Sequence, residues 1–389
     1  MNFPPWPQAD EREAELLRMV LESPQWGGFH PFIEEFEHSF AAYQQSAFGI
    51  SAFNGTVTLE LALTILGIGP GDEVIVPAIS FVSSATAVSR VGAVPVFADI
   101  QPGSFNLDPQ RVREAITPNT KVVMAVHFGG AMCDVEALGQ ICADRGLFLL
   151  EDAAHAHGAE WAGKRAGTFG VAGSFSFQNG KVLSCGEGGM LVTSDADFAG
   201  QARSIANCGR APGRSFYEHH RIGTNFRMSA FQAAVLLAQF ERLPDQITLR
   251  TANARLLKRL LEDVGEIGWQ EQPVAVTQNP YYLLIGRLSR GVSRESFCQA
   301  LSLAGVPNTP FYPHALYENP AYQNAACRVM PCPVAKHRIR DAFWLPHRVL
   351  LADEPTIHRV AGAMRNAVRG QCFVGALADE SLPVVEPVR

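Results

Sequence analysis

Residues 121–153 read KVVMAVHFGGAMCDVEALGQICADRGLFLLEDA and carry the pattern that decides the fold. Lys121–Phe128 and Leu147–Ala153 are short, almost continuously apolar runs, which is typical of strands that are buried on both faces. Val135–Arg145, between them, has the composition and length of a helix. A strand, a helix and a second strand in this order predict a parallel sheet that is covered by helices.

The same alternation continues on both sides of this stretch. Further strands are predicted at Glu73–Ala78, Val94–Ile100, Gly173–Phe177 and Met190–Thr193, and further helices at Thr56–Leu66 and Pro109–Ile116. We therefore predict an α/β fold with a mostly parallel sheet and helices on both faces.

The rhythm changes in the last third of the chain. A long helical pattern is expected to end at Pro244, and a second helix is expected over Gln246–Leu261, because proline usually breaks a helix. The segments that follow indicate a smaller α+β unit. We predict a large domain over residues 1–250, with an N-terminal arm at 1–25, and a small C-terminal domain over residues 251–389.

Composition and charge exclude several classes of protein. Apolar residues make up 47% of the chain and charged residues 18%, so a large core is expected. The net charge of −6 and the absence of a basic block argue against nucleic acid or a membrane surface as a partner. No signal peptide or apolar run of 18 residues is apparent, and eight irregularly spaced cysteines are typical of reduced thiols. We expect a cytoplasmic protein.

Two carboxylates close the apolar strand at Glu151 and Asp152. Adjacent strand residues point to opposite sides, so one carboxylate can face a ligand while the other pairs elsewhere. Both could equally be groups that solvate the strand end. His155 and His157 follow, but we predict no metal, because no third ligand stands at a recognisable spacing.

A lysine and a set of small residues lie between the last two predicted strands. Lys181 is flanked by Gly180 and by the glycine-rich stretch Gly186–Gly189, and Ser176 precedes it by five residues. Glycines let a backbone approach a ligand closely, and a desolvated lysine can act as an amine nucleophile. A lysine on the surface is the alternative.

Two further candidates follow earlier elements. Asn54, Gly55 and Thr56 open the first apolar helix, where backbone N–H groups can bind phosphate or where Asn54 is an ordinary helix cap. Phe81 follows the strand at Glu73–Ala78 and could stack on a planar ring or belong to the core. A phosphate site, an acid, an aromatic ring and a lysine on one sheet suit pyridoxal 5′-phosphate.

Longer motifs agree with this interpretation. They are NGT at 54–56, GIGPGDEVIVPAISFVSSA, GAVPVFADI, EDAAHAHGA at 151–159, FSFQNGK with GEGG, and TNFRMSAFQAA at 224–234. With them, the chain resembles the DegT/DnrJ/EryC1/StrS family of pyridoxal-phosphate aminotransferases from about residue 25 onward. The resemblance implies a pyridoxal-phosphate-dependent transferase of fold type I and a homodimer with shared active sites.

The resemblance also implies roles for individual residues. Lys181 corresponds to the Schiff-base lysine, and Asp152 to the partner of the pyridine nitrogen. His155 corresponds to a group near the ring hydroxyl, and Phe81 to the stacking aromatic ring. The remaining positions correspond to phosphate contacts (Gly55, Thr56 and Ser176), to a group beside the cofactor (Gln178) and to an asparagine that reaches the neighbouring subunit's phosphate (Asn225).

Finer motifs point to a substrate class. FPPWPQ, FSFQNGK, NCGR at 207–210 and WLPHRVLLADEP at 344–355 resemble the 3-amino-5-hydroxybenzoate synthase subgroup, and the inosose aminotransferases share part of this set. Phe311 stands where common sugar aminotransferases have a histidine. The resemblance implies transfer of an amino group from L-glutamine or L-glutamate to a cyclic ketone: an aminoshikimate-type ring, a cyclitol or a keto sugar in secondary metabolism. A regulatory subunit that keeps the fold without turnover is the alternative.

Overall fold

The computed structural model describes residues 1–211 and 213–370. Its helices are α1 (Glu11–Glu22), α2 (Pro31–Tyr43), α3 (Gly55–Ile65), α4 (Ser83–Arg90), α5 (Pro109–Ala115), α6 (Val135–Arg145), α7 (Ala196–Ala206), α8 (Ala230–Leu260), α9 (Arg294–Leu303), α10 (Pro320–Gln323), α11 (Pro333–Asp341) and α12 (Glu354–Val368). Its strands are β1 (Phe48–Ala52), β2 (Glu73–Pro77), β3 (Val94–Ala98), β4 (Thr120–Val126), β5 (Phe148–Asp152), β6 (Glu160–Trp161), β7 (Lys164–Arg165), β8 (Ala172–Ser176), β9 (Gly189–Thr193), β10 (Ile267–Trp269), β11 (Val276–Gln278), β12 (Leu283–Leu288), β13 (Arg328–Val329) and β14 (Ala342–Pro346).

An eight-stranded sheet forms the centre of the molecule, in the order β1-β9-β8-β5-β4-β2-β3-β13. The pairs from β8 to β13 are parallel, and β9 runs antiparallel to both β1 and β8. Along β4, Val123 and Ala125 belong to one apolar cluster, while Val122 and Met124 belong to the cluster on the other face. The predicted α/β fold, mostly parallel with both sheet faces covered, is confirmed.

The helices divide between the two faces of this sheet. Apolar residues of α2, α6 and α8 pack on the face of Val123, and those of α3, α4 and α7 pack on the face of Val122. The buried positions on both sides explain why the strands are apolar throughout rather than alternating.

The predicted helix break at Pro244 is wrong, because α8 runs without interruption from Ala230 to Leu260. Ser229 and Gln232 form a capping box at its start. The half before Pro244 packs on the large sheet, and the half after it carries Ala254 and Leu257 into the core of the C-terminal region. Burial at both ends offsets the roughly 3 kcal/mol by which an interior proline disfavours a helix.

A second, antiparallel sheet in the order β10-β12-β14 packs against α9 and α12. β13 leaves this region and joins the edge of the large sheet beside β3. The domain boundary that was predicted at residue 250 falls inside α8, and residues 371–389 of the predicted small domain lie outside the described part of the chain. Within that described part, no helix is both long and apolar enough to cross a membrane.

Candidate active site

A cavity of about 420 Å³ opens beyond the carboxyl ends of the parallel strands. In sheets of this type, ligands bind at that edge. Eight of the nine predicted site residues line the cavity: Gly55, Thr56, Phe81, Asp152, His155, Ser176, Gln178 and Lys181. The structure thus brings together residues that span about 130 positions of the sequence.

Lys181 lies in the connection between β8 and β9 and is 9% exposed. Its ammonium group lies 4.6 Å from the centre of the Tyr282 ring, and no described residue forms an ion pair with it at close range. Burial lowers the pKa of Lys181 from 10.5 to about 8, against the opposing attraction of Asp152. A substantial fraction of the amine is therefore neutral and nucleophilic near pH 8.

Asp152 ends β5 and is the carboxylate that faces the cavity. Its Oδ2 accepts a hydrogen bond of 2.7 Å from the Ser84 hydroxyl, and Ser84 in turn lies 2.7 Å from the Ser80 hydroxyl. The backbone N–H of Ala154 donates to the other oxygen at 3.3 Å. These bonds hold the carboxylate in one orientation, with room beside it for a ligand.

Glu151 points to the opposite side of β5 and is fully buried. It accepts hydrogen bonds from His127 at 2.9 Å and from three backbone N–H groups of the turn at residues 167–170 at 2.7–2.8 Å. Burial alone would raise the pKa of Glu151, but these donors lower it below its ordinary value. The alternative that both carboxylates merely solvate the strand end is therefore wrong.

The two histidines after β5 have separate environments. The Nδ1 atom of His155 accepts the backbone N–H of Gly129 at 3.2 Å, which leaves Nε2 as the protonated nitrogen of the neutral ring. Burial, and then the charge of Lys181, lowers the pKa of His155, so the ring stays neutral. His157 instead donates from Nε2 to the Ser176 carbonyl at 2.9 Å.

The N-terminus of α3 forms another wall of the cavity. Asn54 caps the helix by accepting the N–H of Val57, and the Thr56 hydroxyl donates to Ser83 at 2.8 Å. A Cβ atom on Gly55 would lie 2.8 Å from the Cβ of Ser176, so only glycine allows α3 to approach β8 this closely. Backbone N–H groups at such a helix start, beside the hydroxyl of Ser176, are suited to bind a phosphate.

Phe81 and Gln178 complete the predicted set on this cavity. Phe81 is 56% exposed, so it belongs to the rim rather than to the core. Gln178 bonds within its own loop, where its side-chain oxygen accepts the N–H of Gly180 at 2.8 Å and its carbonyl accepts that of Lys181 at 2.8 Å. Gln178 therefore shapes the turn that presents Lys181.

Asn225 is the one predicted site residue that does not line this cavity. It is exposed, and its side-chain oxygen accepts the N–H of Arg227 at 3.3 Å. A second cavity of about 380 Å³ lies nearby and is lined by four arginines: Arg203, Arg210, Arg214 and Arg227. No arginine lines the cavity of Lys181 within the described chain.

Sequence reasoning missed several residues of the cavity wall. Tyr282, immediately before β12, and Tyr312, in the proline-rich loop, contribute aromatic faces from the C-terminal region. Ser84 orients Asp152, and Glu187 adds a carboxylate from the glycine-rich stretch. The tyrosines were recognisable as aromatic residues, but their distance along the chain gave no indication that they meet Lys181.

The described residues fit pyridoxal 5′-phosphate. The cavity combines a buried amine, an oriented carboxylate, a helix N-terminus flanked by hydroxyls and a rim phenyl ring. In chemical type, these groups would suit the reactive aldehyde, the ring nitrogen, the phosphate and the ring face of that cofactor. Such an arrangement can hold the cofactor and move protons at a carbon atom beside Lys181.

Comparisons with known proteins agree with this geometry. The model of the DegT/DnrJ/EryC1/StrS aminotransferase family matches residues 7–365. The 3-amino-5-hydroxybenzoate synthase of Amycolatopsis mediterranei is 40% identical over an alignment of 382 residues, which covers 94% of this chain and 97% of that enzyme. The L-glutamine:2-deoxy-scyllo-inosose aminotransferase of Streptoalloteichus tenebrarius is 37% identical over an alignment of 402 residues, which covers 94% of each chain.

The similarity extends to three dimensions. The crystal structure of 3-amino-5-hydroxybenzoic acid synthase matches with a TM-score of 0.90 and 40% sequence identity, over 95% of this chain and 99% of that one. The expected transferase fold of type I is thereby confirmed.

Proposed function

This chain belongs to the DegT/DnrJ/EryC1/StrS family of pyridoxal-phosphate-dependent aminotransferases, and from that premise we propose its substrates and the roles of its residues. It transfers an amino group from L-glutamine or L-glutamate to a cyclic ketone, as a 3-amino-5-hydroxybenzoate synthase-like enzyme of secondary metabolism. The observation that carries the proposal is the single cavity that unites Lys181, Asp152 and the N-terminus of α3.

Lys181 is the group that both holds the cofactor and moves the proton. When bound, pyridoxal 5′-phosphate supplies an electron sink and a carrier for the amino group. Burial lowers the pKa of Lys181 to about 8, so its amine can accept a proton from the substrate Cα and return it. Its position 4.6 Å above the Tyr282 ring confines the amine to the cavity.

The other residues bind and orient. Asp152 would hold a proton on the pyridine nitrogen through the oxygen that Ser84 leaves free. The Nε2–H of His155 would donate to the ring hydroxyl, and Phe81 would cover a ring face. The N-terminus of α3, through Gly55 and Thr56, would bind the phosphate together with Ser176.

The lining of the cavity supports a hydroxylated ring as the acceptor. Its walls combine hydroxyls, amides and aromatic rings with the carboxylates of Asp152 and Glu187 and the amine of Lys181. Tyr282 and Tyr312 lie on the side of the C-terminal region. An open-chain 2-keto acid is usually clamped at its carboxylate by a bidentate arginine, and no described residue that lines this subunit's cavity is an arginine. Relatives named for an aminohydroxybenzoate and for a scyllo-inosose support the same class.

The position of Asn225 supports a homodimer with shared active sites. Asn225 is exposed outside its own cavity, beside a segment with the exposed side chains of Phe216, Tyr217 and Ile222. Apolar residues this exposed are typical of a protein interface. A second subunit would bring Asn225, and an arginine for the donor carboxylate, to the site that lacks them.

A substrate panel tests the acceptor. With L-glutamine as donor, the purified enzyme is offered scyllo-inosose-type cyclitols, 3-keto sugars, an aminodehydroshikimate and oxaloacetate. We expect turnover of a ring ketone, and an aromatic product from the aminodehydroshikimate would identify the aminohydroxybenzoate branch. Rapid turnover of oxaloacetate alone would overturn the proposed class.

Borohydride labelling tests the role of Lys181 separately. Reduction of the holoenzyme should fix the cofactor to the peptide that contains Lys181, and Lys181→Ala should abolish labelling while the fold survives. The exposed Lys121 and the Lys164 of the β6–β7 hairpin are the internal controls. A label on either of them would contradict the assignment.

A further inference from the structure

The first eight residues, which we call the N-terminal strap, cross the back of the active site. Phe3 packs against the apolar core of the C-terminal region. The Trp6 indole N–H donates to the carbonyl of Lys181 at 3.0 Å, and the carbonyl of Gln8 accepts from Arg242 of α8 at 3.2 Å. The strap therefore joins the C-terminal region, the long helix α8 and the connection between β8 and β9 at residues 177–188, which we call the lysine loop.

A second donor acts beside Trp6. His347 follows β14 in the C-terminal region, and its Nε2 donates to the carbonyl of Gly180 at 3.1 Å. Burial lowers the pKa of His347 well below its ordinary value, so its ring is neutral and Nε2 keeps the donated proton. The rings of Trp6 and His347 meet edge to face, with centroids 4.4 Å apart.

His347 also supports the surface on which the lysine amine lies. Its backbone N–H donates to the carbonyl of Tyr282 at 3.2 Å, and its ring stacks near the Tyr282 ring with centroids 6.1 Å apart. The Tyr282 ring in turn lies 4.3 Å from His155 and 4.6 Å from the Lys181 amine. The same residue thus fixes both the main chain before Lys181 and the ring beneath its side chain.

We propose that Trp6 and His347 are positioning residues, which set the main chain of Gly180 and Lys181 so that the lysine amine stays over Tyr282. The strap and the C-terminal region thereby control the geometry of the lysine loop. This inference rests on the proposed role of Lys181. The observation behind the inference is that the consecutive carbonyls of Gly180 and Lys181 each accept a hydrogen bond from a distant part of the chain.

Loss of the hydrogen bond from Trp6 should affect the lysine loop rather than the whole fold. The lysine loop also bonds within itself, through Lys181 N to the carbonyl of Gln178 and Cys185 N to that of Phe177. Loss of the Trp6 bond should loosen these internal bonds without unfolding the sheet. The turnover number should fall more than the Michaelis constant rises, because the amine is misplaced while the substrate contacts remain.

Trp6→Phe is the sharpest test, because it keeps an aromatic ring and removes only the N–H donor. Trp26→Phe is the matched control, since the Trp26 ring is 53% exposed and packs on Phe231 away from the cavity. Hydrogen exchange of the peptide at residues 177–186 should become roughly 3- to 10-fold faster in Trp6→Phe, the loss expected for one hydrogen bond. Trp26→Phe should leave it unchanged.

A second pair of variants covers the other donor. His347→Phe should accelerate exchange in the same peptide, and His347→Gln, which keeps an N–H donor, should restore much of the protection. In cofactor-free protein, the pH midpoint of Lys181 methylation should shift in His347→Phe and in Trp6→Phe. Unchanged exchange and an unchanged midpoint in both variants would overturn the proposal.

These readouts separate two kinds of failure. If borohydride labels another lysine, the proposed function fails whatever the exchange data show. If the label is on Lys181 but Trp6→Phe and His347→Phe both exchange and titrate like the unmodified protein, only the positioning role fails. Equal acceleration across the whole chain would indicate general destabilisation and would also contradict the proposal.

Discussion

The two carboxylates at the end of β5 have the same charge and adjacent positions, but different chemistry. Alternation along a strand predicted that they face opposite sides. Which of them faces the cavity depends on their hydrogen-bond donors. Backbone N–H groups of the turn at residues 167–170 donate to Glu151, and the Ser84 hydroxyl donates to Asp152. Both partners are distant in sequence, so composition alone left the choice open.

Matched substitutions should separate the two roles. Asp152→Asn should lower turnover by at least about 100-fold while the cofactor still binds, because an amide stabilises a protonated ring nitrogen poorly. Glu151→Gln should instead lower stability by about 1–3 kcal/mol, because a buried acceptor of four hydrogen bonds loses its charge. Steady-state kinetics and thermal unfolding measure both, and near-normal turnover of Asp152→Asn would contradict the assignment.

The lowered pKa of Lys181 predicts a pH dependence of stability in the cofactor-free protein. The unfolded lysine, with a pKa of 10.5, binds more protons than the folded one between pH 8 and 10.5, so unfolding free energy rises with pH across this window. Below pH 8 the buried charge costs at most about 3 kcal/mol.

Lys181→Met should remove this dependence. We expect the variant to be more stable than the unmodified apoprotein at pH 7.5 and to lose the advantage by pH 10.5, as measured by denaturant unfolding. A constant difference between the two proteins over this range would show that the lysine keeps an ordinary pKa.

At the scale of elements, the start of α3 packs closely against the end of β8 in the wall of the site. The Ser174 hydroxyl donates to the carbonyl of Gly55 at 3.2 Å and lies 2.6 Å from the Thr58 hydroxyl. Glycine at position 55 permits this contact, and the helix N-terminus faces the cavity as a result.

Gly55→Ala should therefore weaken cofactor binding by roughly 10-fold or more, since the added methyl displaces the helix N-terminus from the phosphate. Gly139→Ala in α6 is the control, because a Cβ there meets no atom within 4 Å. It should be neutral or slightly stabilising. Fluorescence titration of the apoproteins with cofactor measures the difference, and equal affinities would exclude the steric explanation.

The elements also show how far the sequence could predict the fold. Each strand that was predicted in the large sheet lies within two residues of its expected bounds, because buried apolar runs have clear edges. The break at Pro244 was wrong because tertiary packing supports α8 on both sides of the proline. β13, with two residues, has no periodicity to detect. Tyr282 and Tyr312 reach the site only through long-range packing.

At the scale of the whole molecule, the proposed dimer predicts that each active site needs residues from both subunits. Lys181→Ala and Asn225→Ala subunits should each be poorly active alone. If sites are shared, mixed dimers should regain one intact site per dimer, in which the lysine of one subunit meets the asparagine of the other. Activity after subunit exchange, with each variant self-mixed as the control, measures this, and absence of recovery would count against sharing.

The crossing of β13 back to the large sheet has a practical consequence for a nicked chain. Arg290 lies in an exposed turn between β12 and α9, where trypsin could cut. The piece after the cut would still hold β3 through β13, with Arg328 bonded to both oxygens of Glu73 at 3.0 Å, and would still hold β12 through β14. The two fragments should therefore elute together as one particle of native size and separate only in denaturant.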